Sequence, residues 1–461
     1  MAVWSVVSHS SVLAGGRVDA EFFRPAFLEA EAALTLVDTN VIARHFHISD
    51  GNHMKVSRHF TEDDESVPYY RGQDLNGFFL ENANPVRISR EFYDRMNMRR
   101  SYLSPEDVLI CIVGAGTGTI SLVTSSTTPC TGSCKIGLIR RQPLGVVDPY
   151  VLAAFLLGKF GQYQVARHTR GTAQGGLILK DICKLLVPIF PDAEQRLVRG
   201  LLEQALTLNT EANAHDDKSR QLLEAELGLD KLIFQKPVGC IAQFSEALHS
   251  RRIDADFFQT PFRQLDDHLD KYSTAQLHTL VDITKGIEVG SVAYRTEGYP
   301  FLRVSNIKET GIEVGPSDKY ISPALYASLQ SYRPQIGELL LTKDGSPGVA
   351  MAVDQDCDGI ISGGVVRLKP RTDEIPIEYL ALAINSRACR MQIERECSGA
   401  LILHWKLSLI RKLRIPVLPA PVMGKIAELV TEAKQARRKS NELLDQAKAR
   451  VEQLIEAAVQ P

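Results

Sequence analysis

Much of what would mark an enzyme or a membrane protein is missing from this sequence. It has no G-x-x-x-x-G-K-[ST] phosphate loop, which argues against ATP-driven work by the chain, and no H-E-x-x-H zinc pair. Eight cysteines include no C-x-x-C pair, a usage that fits reduced thiols and a cytoplasmic protein. The longest apolar runs, such as Val108–Val113, fall far short of the roughly 20 residues that cross a bilayer, so no membrane association is expected. No basic segment followed by a long apolar core opens the chain, and no secretory signal is expected. Excess charge is absent too: the formal net charge is −2, without the basic surplus common in nucleic-acid binders. What remains is ordinary globular composition, 44% hydrophobic and 23% charged over 461 residues, enough for two to four domains.

The chain repeats itself, and this decides the reading. Arg17-Val18-Asp19-Ala20-Glu21-Phe22-Phe23 returns 235 positions later as Arg252-Ile253-Asp254-Ala255-Asp256-Phe257-Phe258. At the same offset Ser10 matches Ser245 and Leu13 matches Leu248. Pro68-Tyr69-Tyr70-Arg71-Gly72-Gln73-Asp74-Leu75 parallels Pro300-Phe301-Leu302-Arg303-Val304-Ser305-Asn306-Ile307. Asp107-Val108-Leu109-Ile110 parallels Glu338-Leu339-Leu340-Leu341, and Gly171, Ile182, Val187-Pro188 and Pro191 parallel Gly399, Ile410, Ile415-Pro416 and Pro419. The order is constant and the offset shrinks only by small deletions.

After Pro191 and Pro419 glycine and proline become scarce and the apolar period turns helical. Val198, Leu201, Leu202, Ala205 and Leu208 match Ile426, Leu429, Val430, Ala433 and Ala436. The second stripe runs on through Leu443, Leu444, Ala447, Val451, Leu454 and Ile455. Two long helices with matching seams are expected to pack on each other. The predicted layout is a globule over 1–191, a long helix and linker over 192–235, a second globule over 236–419 and a helix over 420–461. The fold class is α+β: two repeated mixed α/β globules with two long helices forming an antiparallel coiled coil.

Motifs that suggest chemistry fare poorly against plain readings. Gly114-Ala115-Gly116-Thr117-Gly118 follows an apolar strand, but Thr119–Val123 reads as another strand where a dinucleotide loop needs a helix. A hairpin turn is predicted. Asp148-Pro149-Tyr150 reads as a helix start, with Pro149–Phe160 and Ile377–Asn385 as matched short helices. Cys130 and Cys134 would need two further ligands to hold zinc, and the second copy lacks the pair. His45, His47 and His53 form no repeated cluster. No catalytic constellation and no metal site is predicted.

Two similar globules each followed by a long helix, the P-[YF]-x-R-x-x-[DN]-[LI] segment, the strand–Gly turn–strand and the terminal [VI]-P-x-x-P resemble the specificity subunit of Type I restriction–modification systems. The resemblance spans nearly the whole chain. It implies two target-recognition domains, each reading half of a split double-stranded DNA sequence, and an antiparallel coiled coil that sets the gap. It implies a non-catalytic subunit, with no cofactor of its own, that recruits adenine-N6 methyltransferase subunits, two per chain, and restriction/translocase subunits. S-adenosylmethionine, ATP and Mg would sit on those partners, and the whole would serve phage defence. A duplicated protein-binding scaffold that reads no bases is the alternative.

Base edges in the major groove are read chiefly by Arg or Lys at guanine and by Asn or Gln at adenine. Candidate DNA-binding residues therefore sit in polar loops that differ between the copies. These are Arg71, Gln73 and Asn76 against Arg303, Ser305, Asn306 and Lys308. A second pair of loops holds Arg167, His168, Thr169, Arg170 and Gln174 against Arg395, Ser398, His404 and Lys406, with Lys343 beside the glycine turn. Arg71 and Arg303 occur in both copies and are equally suited to structural ion pairs. The Asp19 and Asp254 motif is expected to be a fold-specific clasp.

Overall fold

A computed structural model describes residues 5–95, 101–171, 175–234, 239, 241–315, 318–399 and 403–459. The chain forms two compact units, Met1–Thr210 with Arg437–Pro461, and Glu211–Ala436. Each holds part of both long helices, Asp192–Glu226 and Ala420–Ala457. No described helix is long and apolar enough to cross a membrane.

In the first unit one antiparallel sheet has the order Phe46–Asp50, Ile136–Arg141, Val108–Cys111, Ile120–Leu122. A second sheet runs Val86–Ile88, Val67–Tyr70, Cys130–Gly132, Tyr102–Leu103. Thr39–Val41 pairs with Leu186–Pro188. The second unit repeats this topology: Val281–Lys285, Val365–Pro370, Leu339–Thr342, Ala350–Ala352 in one sheet, Tyr320–Ile321, Tyr299–Leu302, Ile360–Ile361 in another, and Thr274–Gln276 on Arg414–Pro416. The central strands Val108–Cys111 and Leu339–Thr342 are buried throughout, apolar but for Thr342, whose hydroxyl is satisfied by the Ser346 carbonyl.

The segment read as one helix over Pro149–Phe160 is two, Pro149–Leu157 and Lys159–His168. A Cβ on Gly161 would lie 2.3 Å from the Phe155 carbonyl, so the helices meet there closer than any side chain allows. Ile377–Asn385 forms as expected and is followed by Arg387–Glu396.

The repeated Asp motif is a clasp. Arg17 pairs with Asp19 at 2.7 Å, and the Asp19 carboxylate accepts from the Phe22 amide at 3.1 Å. Arg17 and Arg167 both lie on the Phe22 ring, at 4.9 and 4.2 Å. Arg252, Asp254, Phe257 and Arg395 rebuild it in the second unit, with cations 5.0 and 4.3 Å from the Phe257 ring. Neighbouring guanidinium groups hold both aspartates below the usual carboxylate range. Two further devices recur. Gln164 exchanges two hydrogen bonds with the backbone of Leu186, as Gln392 does with Arg414. Buried Asp107 is forked by Arg140, as buried Glu338 is paired with Arg367.

The seams of the long helices are antiparallel within each unit. In the first, Ser440 donates to the Ala205 carbonyl at 2.6 Å and Arg450 pairs with Glu194 at 2.6 Å, so residue numbers rise on one helix as they fall on the other. Val198, Leu202, Ala205, Ala447, Val451 and Ile455 are buried in the same core. In the second unit His215 meets Glu432 at 3.0 Å, and Leu223 and Leu227 share a core with Met423 and Ile426.

Candidate functional site

In the first unit the residues after Val67–Tyr70 turn sharply at Gly72–Asp74 and form one wall of a cleft of about 590 Å³. Gly114–Gly116 and Ser133–Lys135 contribute the other walls. The glycine stretch is the hairpin turn predicted, joining Val108–Cys111 to Ile120–Leu122. Gly118 has φ 94° and would place a Cβ 2.9 Å from Val165; Gly348, with φ 90°, would place one 2.7 Å from Ile393. Both need glycine to seat the hairpin on the following helix.

Arg71 is committed to Asp74, which takes two guanidinium hydrogen bonds at 2.9 Å and the Arg71 amide at 2.7 Å. It is the structural ion pair. Gln73 and Asn76 are exposed, and Gln73 lines the cleft. Lys135, which sequence reasoning missed, stands exposed on the same cleft. Its counterpart in the other copy is Gly364, so a comparison of the copies strand by strand would have found it.

The second unit changes this loop. Asn306 stands where Asp74 does, and it is 2% exposed. It accepts from the Arg303 amide at 2.9 Å and donates to the Glu313 carbonyl at 2.8 Å. This corrects the expectation for Asn306: both ends of its amide are used within the fold. Having lost the carboxylate, Arg303 keeps a buried Nε without a hydrogen-bond partner among the described residues. Ser305 and Lys308 are exposed. Lys343 and His404, far apart in sequence, meet on Asp344, with His404 Nδ1 at 2.8 Å. Burial raises the Asp344 carboxyl, but the hydrogen bonds from Lys343 and His404 and the Lys343 charge outweigh it and hold it below the usual range. Pairing of Asp344–Gly345 with Leu403–His404 brings them together, and Lys406 is exposed just beyond.

The remaining loop of the first unit is largely consumed by structure. Arg167, 8% exposed, donates to the Phe22 carbonyl at 3.0 Å and pairs with Glu31 at 2.7 Å, a clasp residue and not a free reader. Arg395 repeats this with the Phe257 carbonyl and Asp266. The Thr169 hydroxyl donates back to Val165 and ends its helix. Arg170 is half exposed and pairs with Asp181 at 2.7 Å. Gln174 lies outside the described residues. Ser398 pairs through its backbone with His404.

Among the described residues no group of three His, Cys, Asp or Glu is placed to hold a metal ion. Burial pushes the Cys130 thiol up to about 12, which disfavours the thiolate that zinc needs.

No protein-family model matches the sequence, and no curated protein matches it. Among solved structures the fold is similar to the Type I restriction–modification S subunit of M. genitalium, at 13% identity over 91% of this chain and 95% of that one, with a TM-score of 0.43. It is also similar to the HsdS subunit of Thermoanaerobacter tengcongensis, at 15% identity over 90% and 95%, with a TM-score of 0.29. A third similar chain comes from a study of type I R-M complex assembly and conformational transition, at 14% identity over 91% and 97%, with a TM-score of 0.30.

Proposed function

We propose that this chain is the non-catalytic DNA sequence-specificity subunit of a Type I restriction–modification complex, in which each unit reads one half of a bipartite target. One observation carries the reading. The residues that hold the framework recur in both units, namely the Arg–Asp–Phe–Arg clasp, the Gln164 and Gln392 bridges and the buried ion pairs. The exposed polar residues mounted on that framework do not recur: Gln73 stands against Ser305, Asn76 against Lys308 and Lys135 against Gly364. A shared scaffold with divergent exposed hydrogen-bonding groups suits two different short sequences, because base-edge contacts specify while phosphate contacts only position.

In this reading Gln73, Asn76 and Lys135 address one half-site, and Ser305, Lys308, Lys343, His404 and Lys406 the other. Two adenine-N6 methyltransferase subunits and the restriction/translocase subunits bind alongside and carry S-adenosylmethionine, ATP and Mg. The protein works in the cytoplasm. Methylome sequencing of the host with and without the gene tests this. Loss of adenine methylation at one bipartite motif is expected, and an unchanged methylome refutes the proposal.

A further inference from the structure

Asp344 and His404 face each other across the short ladder that joins Asp344–Gly345 to Leu403–His404. The Lys343 ammonium and His404 Nδ1 take different oxygens of the Asp344 carboxylate, Oδ2 and Oδ1, the second at 2.8 Å. The backbone under the histidine is fixed as well. His404 exchanges two hydrogen bonds with Ser398, at 2.8 and 3.2 Å, and the buried Trp405 that follows donates its amide to the Lys343 carbonyl at 2.8 Å.

This cluster has no equivalent in the first unit. There the matching bridge pairs Val113 with Gly176, and Ile112 stands in the place of Lys343. Apolar residues and glycine serve the pairing equally well, so the charges are not what the fold requires. The Lys343 and Asp344 side chains are only 13% and 24% exposed, and charges drawn out of water lose hydration that their pairing returns only in part. A charged device kept in one copy alone serves what differs between the copies. In the function proposed above, that is the half-site each unit reads.

The chemistry of the pair decides what His404 can read. A carboxylate only accepts, and Asp344 is held below the usual carboxylate range, so the proton between the two lies on Nδ1. In the neutral ring this leaves Nε2 with a lone pair and no hydrogen. The side chain is 59% exposed, and among the described residues Nε2 makes no hydrogen bond. In the major groove the exocyclic amino groups of adenine and cytosine donate, whereas the oxygens of guanine and thymine accept. A lone pair held at a fixed point suits the first two bases and opposes the others.

We propose that Asp344 positions His404 to accept, at Nε2, a hydrogen bond from an exocyclic amino group, adenine N6 or cytosine N4, and so to select an amino over a keto base at one position of the second unit's half-site. This rests on the sequence-reading function proposed above. The test is methylation of short duplexes, at about pH 8 where imidazole is ordinarily neutral, by the full chain co-purified with the methyltransferase encoded beside it. The base at each unmethylated position of the motif is varied in turn. One position of one half-site should favour A over G, or C over T, by about tenfold. Removing the amino group there, with purine for adenine or 2-pyrimidinone for cytosine, should cost the wild-type complex the same factor and His404→Ala nothing further. Which of the two analogues matters tells which base is read. In Asp344→Asn, Lys343 can only donate and so takes the amide oxygen, which turns the amide N–H to the ring and moves its proton to Nε2. That variant should shift the preference at the same position towards G or T. An unchanged requirement at the other half-site shows that each variant is folded. The inference is overturned, and the proposed function left standing, if His404→Ala keeps every base preference, if it weakens all duplexes alike as loss of a phosphate contact does, or if Asp344→Asn keeps the wild-type preference. A wild-type complex without any bipartite preference overturns both.

Discussion

Replacing Arg367 by Met measures how far the second unit depends on its buried ion pair. Glu338 is 5% exposed. Its carboxylate is ion-paired with Arg367 Nε at 3.1 Å and accepts from the Gln335 amide at 3.0 Å. Arg367 also donates to the carbonyls of Ser331 and Arg333, at 3.0 and 2.6 Å. Methionine keeps much of the aliphatic stem and removes the cation. The carboxylate is then left in the interior with one amide donor. Breaking a buried pair from one side costs about 3–5 kcal/mol. Arg367 retains some access to solvent, so the low end, about 3 kcal/mol, is expected. Glu338→Gln alone should cost only about 1–2 kcal/mol, because the amide oxygen still accepts and Arg367 keeps its two carbonyls. The double variant should regain about 1–2 kcal/mol over Arg367→Met, since no unpaired charge is left. Urea unfolding followed by fluorescence gives these values directly. The chain has two tryptophans, and in a Trp4→Phe background the fully buried Trp405 reports on the second unit alone. A loss under about 1 kcal/mol for Arg367→Met, or a double variant worse than either single one, refutes the reasoning.

Leu202→Ala in the helix seam of the first unit should cost about 2–5 kcal/mol by thermal or urea unfolding, because Leu202 is fully buried against a core that includes Val451 and Ile455. Burial, reinforced by Arg167 and opposed by Asp181, lowers the pKa of His168 below its usual 6.5. The unfolded chain then binds that proton more readily, so this contribution to stability is present above pH 6.5 and lost as pH falls below it. His168→Phe should flatten the fall in unfolding midpoint between pH 7 and 5. The equivalent residue, Glu396, has the opposite sign: burial raises its carboxyl, so its contribution is present below the usual 4.5 and lost as pH rises. Glu396→Gln should therefore raise the unfolding midpoint at pH 7. Gln73→Ala should cost about 1–3 kcal/mol of discrimination at one half-site, seen as relaxed methylation at one position, whereas Asn306→Ala should lower stability and weaken methylation of all sites together.

Periodicity and repetition were enough to read the duplication, the strands on either side of the glycine turn and the two long helices. These features are local: an apolar run, a turn residue or a helical stripe is written in consecutive positions. The Asp19 and Asp254 clasp was legible for the same reason, since Arg17, Asp19 and Phe22 stand within one short segment. The fate of the polar loop residues was not. Arg167 looked like a free cation until the fold laid Phe22 and Glu31, well over a hundred residues upstream, against it. Asn306 looked like an adenine reader until the pairing of Ile307–Lys308 with Gly311–Ile312 folded the Glu313 carbonyl back onto it. Lys135 was passed over because its exposure on the cleft depends on strands that meet only in the sheet. A sequence states which groups can hydrogen-bond. Which of them are satisfied internally, and which are left facing solvent, depends on distant backbone brought within about 3 Å, and only tertiary structure decides that.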